Sequence, residues 1–201
     1  MAKTSENSDE GLTRTFATTS GTLTYAQLAD LIAPQLLDLL SDITDEKFAK
    51  REFNENLIRE FHQRMIGEIL PNIAGEWRTI SVQVGYHIAP PPHEIALRMS
   101  EYTKNMRARL PHATSLDLQI ELLAYAEGEF LTIHPFADFN GRTIRALLTE
   151  LLVRLNLPPV EVAVQRDTPM FKKYQTALAE YDNGHLQPLV DFWVERFNNY
   201  E

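Results

Sequence analysis

A chain of 201 residues, 44% hydrophobic and 23% charged, holds enough material for one packed domain. Its formal net charge of −9 argues against direct nucleic-acid binding, which calls for a basic stripe, and the lack of cysteine excludes disulfides and thiolate metal sites. No apolar run approaches the roughly 18 residues of a membrane span, and the polar N-terminus lacks a signal-peptide core, so a cytoplasmic protein with no membrane partner is expected.

Residues 1–20 are rich in Ser, Thr, Asp and Glu and are expected to form a mobile arm, with one domain over 21–201. Thr24-Tyr-Ala-Gln27 is a capping-box pattern, and the apolar residues Leu28, Leu31, Ile32, Leu36, Leu39 and Leu40 follow at helical spacing, with Pro34 as a kink or break. A second helix is expected from about Thr44 to Pro71, with Leu57, Ile58, Phe61, Met65, Ile66 and Ile69 on its apolar face. The period then changes to the alternation of Ile80, Val82, Val84 and Ile88, a short strand or hairpin stopped by Pro90-Pro91-Pro92. Helices are predicted again from about Glu94 to Arg109, Leu116 to Phe130, Gly141 to Leu155, Thr168-Pro169 to Asn183-Gly184, and Gln187 to Phe197. The fold class is therefore all-α with one small β-hairpin.

The segment His134-Pro-Phe-Ala-Asp-Phe-Asn-Gly-Arg-Thr-Ile-Arg145 concentrates the chemistry. A loop bearing His134 and Asp138 runs into a helix start, where unpaired N–H groups and the dipole attract anions. Asn140 and Gly141 are suited to left-handed conformations that form an anion nest. Arg142 and Arg145, three apart on one face, offer two planar forks to phosphate oxygens. Asp138 supplies a hard oxygen of the kind Mg²⁺ takes beside phosphate. His134, with an ordinary pKa of about 6.5, can accept a hydroxyl proton near neutrality. Phe136 reads as a core anchor for the loop. The remaining histidines, His62, His87, His93, His112 and His185, have no metal-site spacing and read as surface or flap residues, His87 beside the target groove.

With these residues in place the chain resembles the Fic/Doc family, whose signature is H-[PX]-F-x-[DE]-G-N-G-R-x-x-R between two helices. His134, Pro135, Phe136, Asp138, Asn140, Gly141, Arg142 and Arg145 match it, and the similarity extends over about 50–197. The resemblance implies a helical Fic bundle whose β-hairpin flap (Val82, Gln83, Val84, Gly85 and Tyr86) docks a target by strand pairing. It also implies transfer of AMP from ATP to a Ser, Thr or Tyr hydroxyl of a protein. His134 would be the base and Asp138 the Mg²⁺ ligand, with Asn140, Gly141 and Arg142 on the phosphates and Arg145 on the terminal phosphate. The chain departs from the pattern at Phe139, where most of the family has glycine. The departure implies either that Phe139 keeps φ < 0 with its ring turned away, or that the donor sits differently. It leaves as alternatives a phosphoryl or phosphocholine transferase of the same fold, and a catalytically silent nucleotide-binding module. Retention of Gly141, which Doc-type motifs replace with Lys, favours nucleotidyl transfer. The family's inhibitory pattern [ST]-x-x-x-E-[GN] has no intact match, which leaves inhibition to a small partner protein, a degenerate helix, or nothing.

Overall fold

The computed structural model describes residues 14–199. Among them, seven helices surround a common core: α1 (Tyr25–Thr44), α2 (Glu55–Ile66), α3 (Ile95–Arg109), α4 (Leu116–Ile133), α5 (Asn140–Arg154), α6 (Pro169–Asp182) and α7 (Gln187–Asn198). Two antiparallel hairpins flank them, β1 (Thr15–Thr18) with β2 (Gly21–Thr24), and β3 (Gln83–Val84) with β4 (His87–Ile88). The all-α reading with a small hairpin holds, with a second hairpin added.

That second hairpin corrects the expected arm. Residues 1–13 lie outside the described residues, but Thr15–Thr18 is a strand whose Phe16 faces Leu23 across the ladder. Gly21, at φ 113°, makes the turn that a side chain would resist. The tip is fastened to the region just after α2: Thr19 donates its N–H to Ile69 O at 3.1 Å and its hydroxyl to Glu68 O at 2.9 Å. Threonine-rich composition reads as solvated chain, yet these β-branched residues suit a half-buried ladder.

The capping box at the head of α1 forms as expected, Thr24 and Gln27 each accepting the other's backbone N–H. Pro34 neither splits nor ends α1. It lies on the exposed face, where water can meet the carbonyl it leaves without a donor. Thr44 ends α1 instead of opening the next helix; α2 starts eleven positions later, where Asn54 Oδ1 accepts Leu57 N–H at 3.1 Å. It closes at Ile66, before the expected Pro71.

The site is held by α4 and α5, which pack against one another, α5 also against α1 and α2, and α4 also against α3 and α7. Buried residues lie all round α4, from Ile120 to Ile133, as a central helix requires. Inside it sits Glu127, whose carboxylate accepts from Tyr174 Oη at 2.7 Å, Trp193 Nε1 at 2.8 Å and Arg196 Nη1 at 2.8 Å. A buried carboxylate is tolerable only when paired and hydrogen-bonded in this way. The network locks α6 and α7 against α4, behind the loop that leads to α5.

Candidate active site

The chain leaves α4 through His134, which takes the left-handed conformation (φ 49°, ψ 61°) and donates its N–H to Phe130 O at 2.9 Å. A histidine in that region of backbone space is costly, and such strain is kept where the position of the side chain matters. The imidazole is buried, and burial pulls its pKa down to about 4. Its Nδ1 lies 3.4 Å from Leu131 O. A carbonyl only accepts, so Nδ1 carries the proton and Nε2 keeps a free lone pair. The ring is therefore neutral at pH 7, as a base must be. It is also a weaker base than an exposed histidine would be.

Two residues to which the sequence reading gave no part in the site hold this turn and the loop after it. Arg78 is buried and spreads its guanidinium over carbonyls: Nε on His134 O at 2.7 Å, Nη1 on Ile80 O at 2.8 Å, and Nη2 on Pro90 O at 2.6 Å and Ile133 O at 3.3 Å. A cation at the C-terminus of α4 satisfies the helix's last carbonyls and its dipole. The same side chain ties the base of the flap to the His134 turn. His62, expected at the surface or in the flap, is instead 0% exposed. Its Nδ1 accepts Gly75 N–H at 2.9 Å, so Nε2 carries the proton, 3.2 Å from Asp138 O. The ring stacks on Phe136 at 3.8 Å between centroids, and burial lowers its pKa to about 4. The sequence signals were the apolar stripe of α2, on which His62 sits beside Phe61, and the Trp77-Arg78 pair just before the flap.

Phe136 anchors the loop as expected, 0% exposed and bridged by strand pairing to Trp77. Asn140 differs from expectation. It is helical and buried, and its side chain is committed to the loop, Oδ1 accepting Phe136 N–H and Nδ2 donating to Phe136 O, both at 2.9 Å. Its backbone N–H remains for an anion. The left-handed residue is Phe139 (φ 59°, ψ 15°), not Asn140 or Gly141, which form the first turn of α5. Phe139 thus keeps the backbone shape that a glycine would take, so the first of the two alternatives fails in its backbone, which is at positive φ, and holds in its ring. Its ring turns away, stacking on Tyr25 at 6.0 Å and 5° and lying 6.0 Å from Phe16. At Gly141 an added Cβ would meet nothing within 4 Å. The approach to the first turn of α5 is open. Trading this ring for glycine relieves about 1–2 kcal/mol of backbone strain but forfeits about 3–5 kcal/mol of packing. Phe139→Gly is therefore expected to lower unfolding free energy by about 2 kcal/mol in a urea titration, whereas a stabilised variant would show that strain dominates.

The cationic residues wait beside this opening. Arg142 packs its guanidinium against the rings of Tyr25 (5.4 Å) and Phe139 (5.3 Å), and its buried Nη1 has no hydrogen-bond partner among the described residues. Arg145 is exposed and makes no side-chain hydrogen bond or ion pair among them. Two guanidinium groups, one with an orphaned donor, meet the unpaired N–H groups at a helix start. That arrangement takes phosphate.

Asp138 is buried beneath the same turn. Its Oδ1 accepts Phe139 N–H at 2.8 Å, and burial, opposed by Arg14, raises its pKa. Oδ2 faces Arg14 Nη2 at 2.7 Å, but without hydrogen-bond alignment, so the oxygen lacks a hydrogen bond. Among the described residues no group of three or more His, Cys, Asp or Glu side chains is placed to hold a metal. One orphaned carboxylate oxygen beside a phosphate site nevertheless fits Mg²⁺, which binds through one or two carboxylates plus substrate phosphates and water.

The flap is shorter than expected. Val82 is buried at its base, and Gln83 and Val84 pair with Ile88 and His87 across a two-residue turn, in which Gly85 has φ 57° and Tyr86 is fully exposed. His87 does not face a groove: Nδ1 lies 2.7 Å from Asp182 Oδ2 and Nε2 2.9 Å from Thr132 O. It ties the flap to the ends of α4 and α6. His93, His112 and His185 are exposed, as expected.

The profile described as the Fic/DOC family matches residues 52–152, half of the chain, including the motif, the flap, His62 and Arg78. The chain belongs to the Fic/DOC family. A protein adenylyltransferase Fic of Drosophila persimilis is 32% identical over 193 residues, covering 91% of this chain and 36% of the relative. The Fic chain here thus spans about a third of the length of the curated relatives it matches. Among solved structures, Fic-1 of C. elegans superposes with a TM-score of 0.61 at 27% identity, over 81% of this chain and 46% of that one. BepC of Bartonella tribocorum, solved with bound AMPPNP, superposes with a TM-score of 0.69 at 16% identity over 92% of each chain. These likenesses confirm the Fic fold read from the motif and its flanks.

Proposed function

We propose that this chain is a protein adenylyltransferase that moves AMP from ATP to a Ser, Thr or Tyr hydroxyl of another protein. The observation that carries the reading is the junction of α4 and α5, where a buried neutral imidazole with a free Nε2 adjoins orphaned donors suited to phosphate. The adenylyltransferase relatives support the same activity, and the AMPPNP bound to BepC supports ATP as the donor.

The α5 N–H groups, Arg142 and Arg145 bind the phosphates and neutralise charge as it moves toward the leaving pyrophosphate. Nε2 of His134 takes the proton from the target hydroxyl as its oxygen bonds the α-phosphorus and the bond to pyrophosphate breaks. Phosphate charge arriving beside the ring raises its pKa and restores the basicity that burial removes. Asp138 would hold Mg²⁺, which when bound supplies positive charge to the phosphate oxygens. The flap, fixed at its base by Arg78 and His87, offers the backbone of Gln83 and Val84 to an extended target segment. The outward turn of the Phe139 ring leaves the phosphate approach free, which supports activity over a silent nucleotide-binding module.

Incubation with ATP labelled separately at the α- and γ-phosphates tests this reading. Protein-bound α-label, lost in His134→Ala, is the expected result. Bound γ-label would make the chain a kinase, and absence of both, with ATP still bound, a sensor.

A further inference from the structure

Arg14 reaches the site from the N-terminal hairpin, outside both the motif and the flap. The start of β1 places it, with Tyr25 N–H donating to Arg14 O at 2.9 Å. Its guanidinium lies 4.6 Å over the Phe16 ring and reaches Asp138 Oδ2. Phe16 in turn rests on Tyr25 and on Phe139, the residue that stands where most of the family has glycine. The ring that departs from the motif is thus the platform on which the N-terminal hairpin docks.

We propose that Arg14 is a tethered counter-ion that competes with a divalent cation for Asp138, so that metal loading and undocking of the β1–β2 hairpin are one equilibrium. The inference rests on the reading of Asp138 as the metal ligand. A buried carboxylate needs a cation, and without metal the hairpin supplies one. The contact is nonetheless poor by the standards of guanidinium–carboxylate pairs. The paired, two-oxygen geometry is not made: Arg14 reaches Oδ2 alone, while Oδ1 accepts Phe139 N–H, and that single approach lacks hydrogen-bond alignment. Arg14 is also 27% exposed, so it can swing into water once displaced. A contact close enough to neutralise the carboxylate, and loose enough to yield, is what a competing counter-ion requires. By linkage, whatever strengthens hairpin docking weakens metal binding by the same factor. The Phe139 platform therefore sets the metal requirement of the site, which a glycine there would not do.

Calorimetric titration of AMPPNP into wild-type protein and Arg14→Ala, with Mn²⁺ and separately with chelator, tests the proposal without any transfer reaction. Arg14→Ala is expected to bind AMPPNP with Mn²⁺ roughly tenfold more tightly, a size typical of coupled sites. The gain should be absent with chelator and absent from Arg14→Ala/Asp138→Asn. Amide exchange provides a second reading: Mn²⁺ with AMPPNP should speed exchange of the β1–β2 amides in the wild type. Unchanged or weaker binding of the Arg14→Ala protein with Mn²⁺ overturns the proposal while leaving nucleotide transfer standing. Failure of Mn²⁺ to affect AMPPNP affinity in either protein overturns both the proposal and the metal role of Asp138.

Discussion

Replacing His134 by alanine is expected to lower the rate of AMP transfer by roughly 10²–10⁴-fold, the usual contribution of a positioned base. ATP affinity should stay nearly unchanged, because the phosphates are held by the start of α5 and its arginines and not by the imidazole. The loss should therefore fall on kcat at saturating ATP, with the nucleotide dissociation constant measured separately by calorimetry. Alanine in a left-handed position is itself costly, so His134→Asn provides the companion variant. Asparagine tolerates that backbone region and keeps a donor for Leu131 O, but cannot act as a base. Equal losses in both variants assign the effect to the missing base; near-normal turnover in His134→Asn would remove His134 from the chemistry. The acid limb of kcat/KM should also lie well below the ordinary histidine value of 6.5, because burial brings His134 to about 4.

The same burial should make the fold acid-labile. His62 and His134 each fall from 6.5 to about 4 on folding, worth about 3 kcal/mol apiece. Above 6.5 both are neutral in either state and contribute nothing to pH dependence. As pH falls from 6.5 toward 4, the unfolded chain takes up protons that the folded chain cannot, and stability is lost until the folded histidines titrate as well. Asp138 works in the opposite direction: its raised pKa means that acid removes a buried charge from the folded state. The pair of histidines accounts for about 6 kcal/mol, a large part of the 5–15 kcal/mol typical of a folded domain. Urea titrations at pH 7 and pH 4.5 should show most of that loss, and His62→Gln, which removes one titrating group, should flatten it. A pH-independent midpoint across that range would show that the two rings are hydrated.

Much of this was legible in the sequence because strong local signals agreed with the final packing. The Thr24–Gln27 capping box, the Thr168-Pro169 start and the apolar stripe of α2 depend on neighbours within a turn or two, and each formed. The motif residues likewise occupy a single loop and helix start. The failures share a different cause. Thr15–Thr18 is a strand because Phe16 finds Tyr25 and also Phe139, the latter a contact across more than a hundred residues that composition cannot show. His62 and Arg78 act on the loop from α2 and from the chain before the flap, and their partners are mostly backbone atoms, which leave no trace in residue types. The positive φ of Phe139 is hidden from the sequence for a related reason. Local sterics disfavour it, and only the stacked rings beneath compensate.

AMP transfer and phosphoryl transfer differ in which bond of ATP the α4–α5 junction breaks. The most direct measurement is the small product released when the chain, ATP and Mg²⁺ are incubated with a protein acceptor. Pyrophosphate, appearing in step with acceptor-bound AMP and absent with His134→Asn, is the predicted result. ADP released in its place, with phosphate on the acceptor, would contradict it.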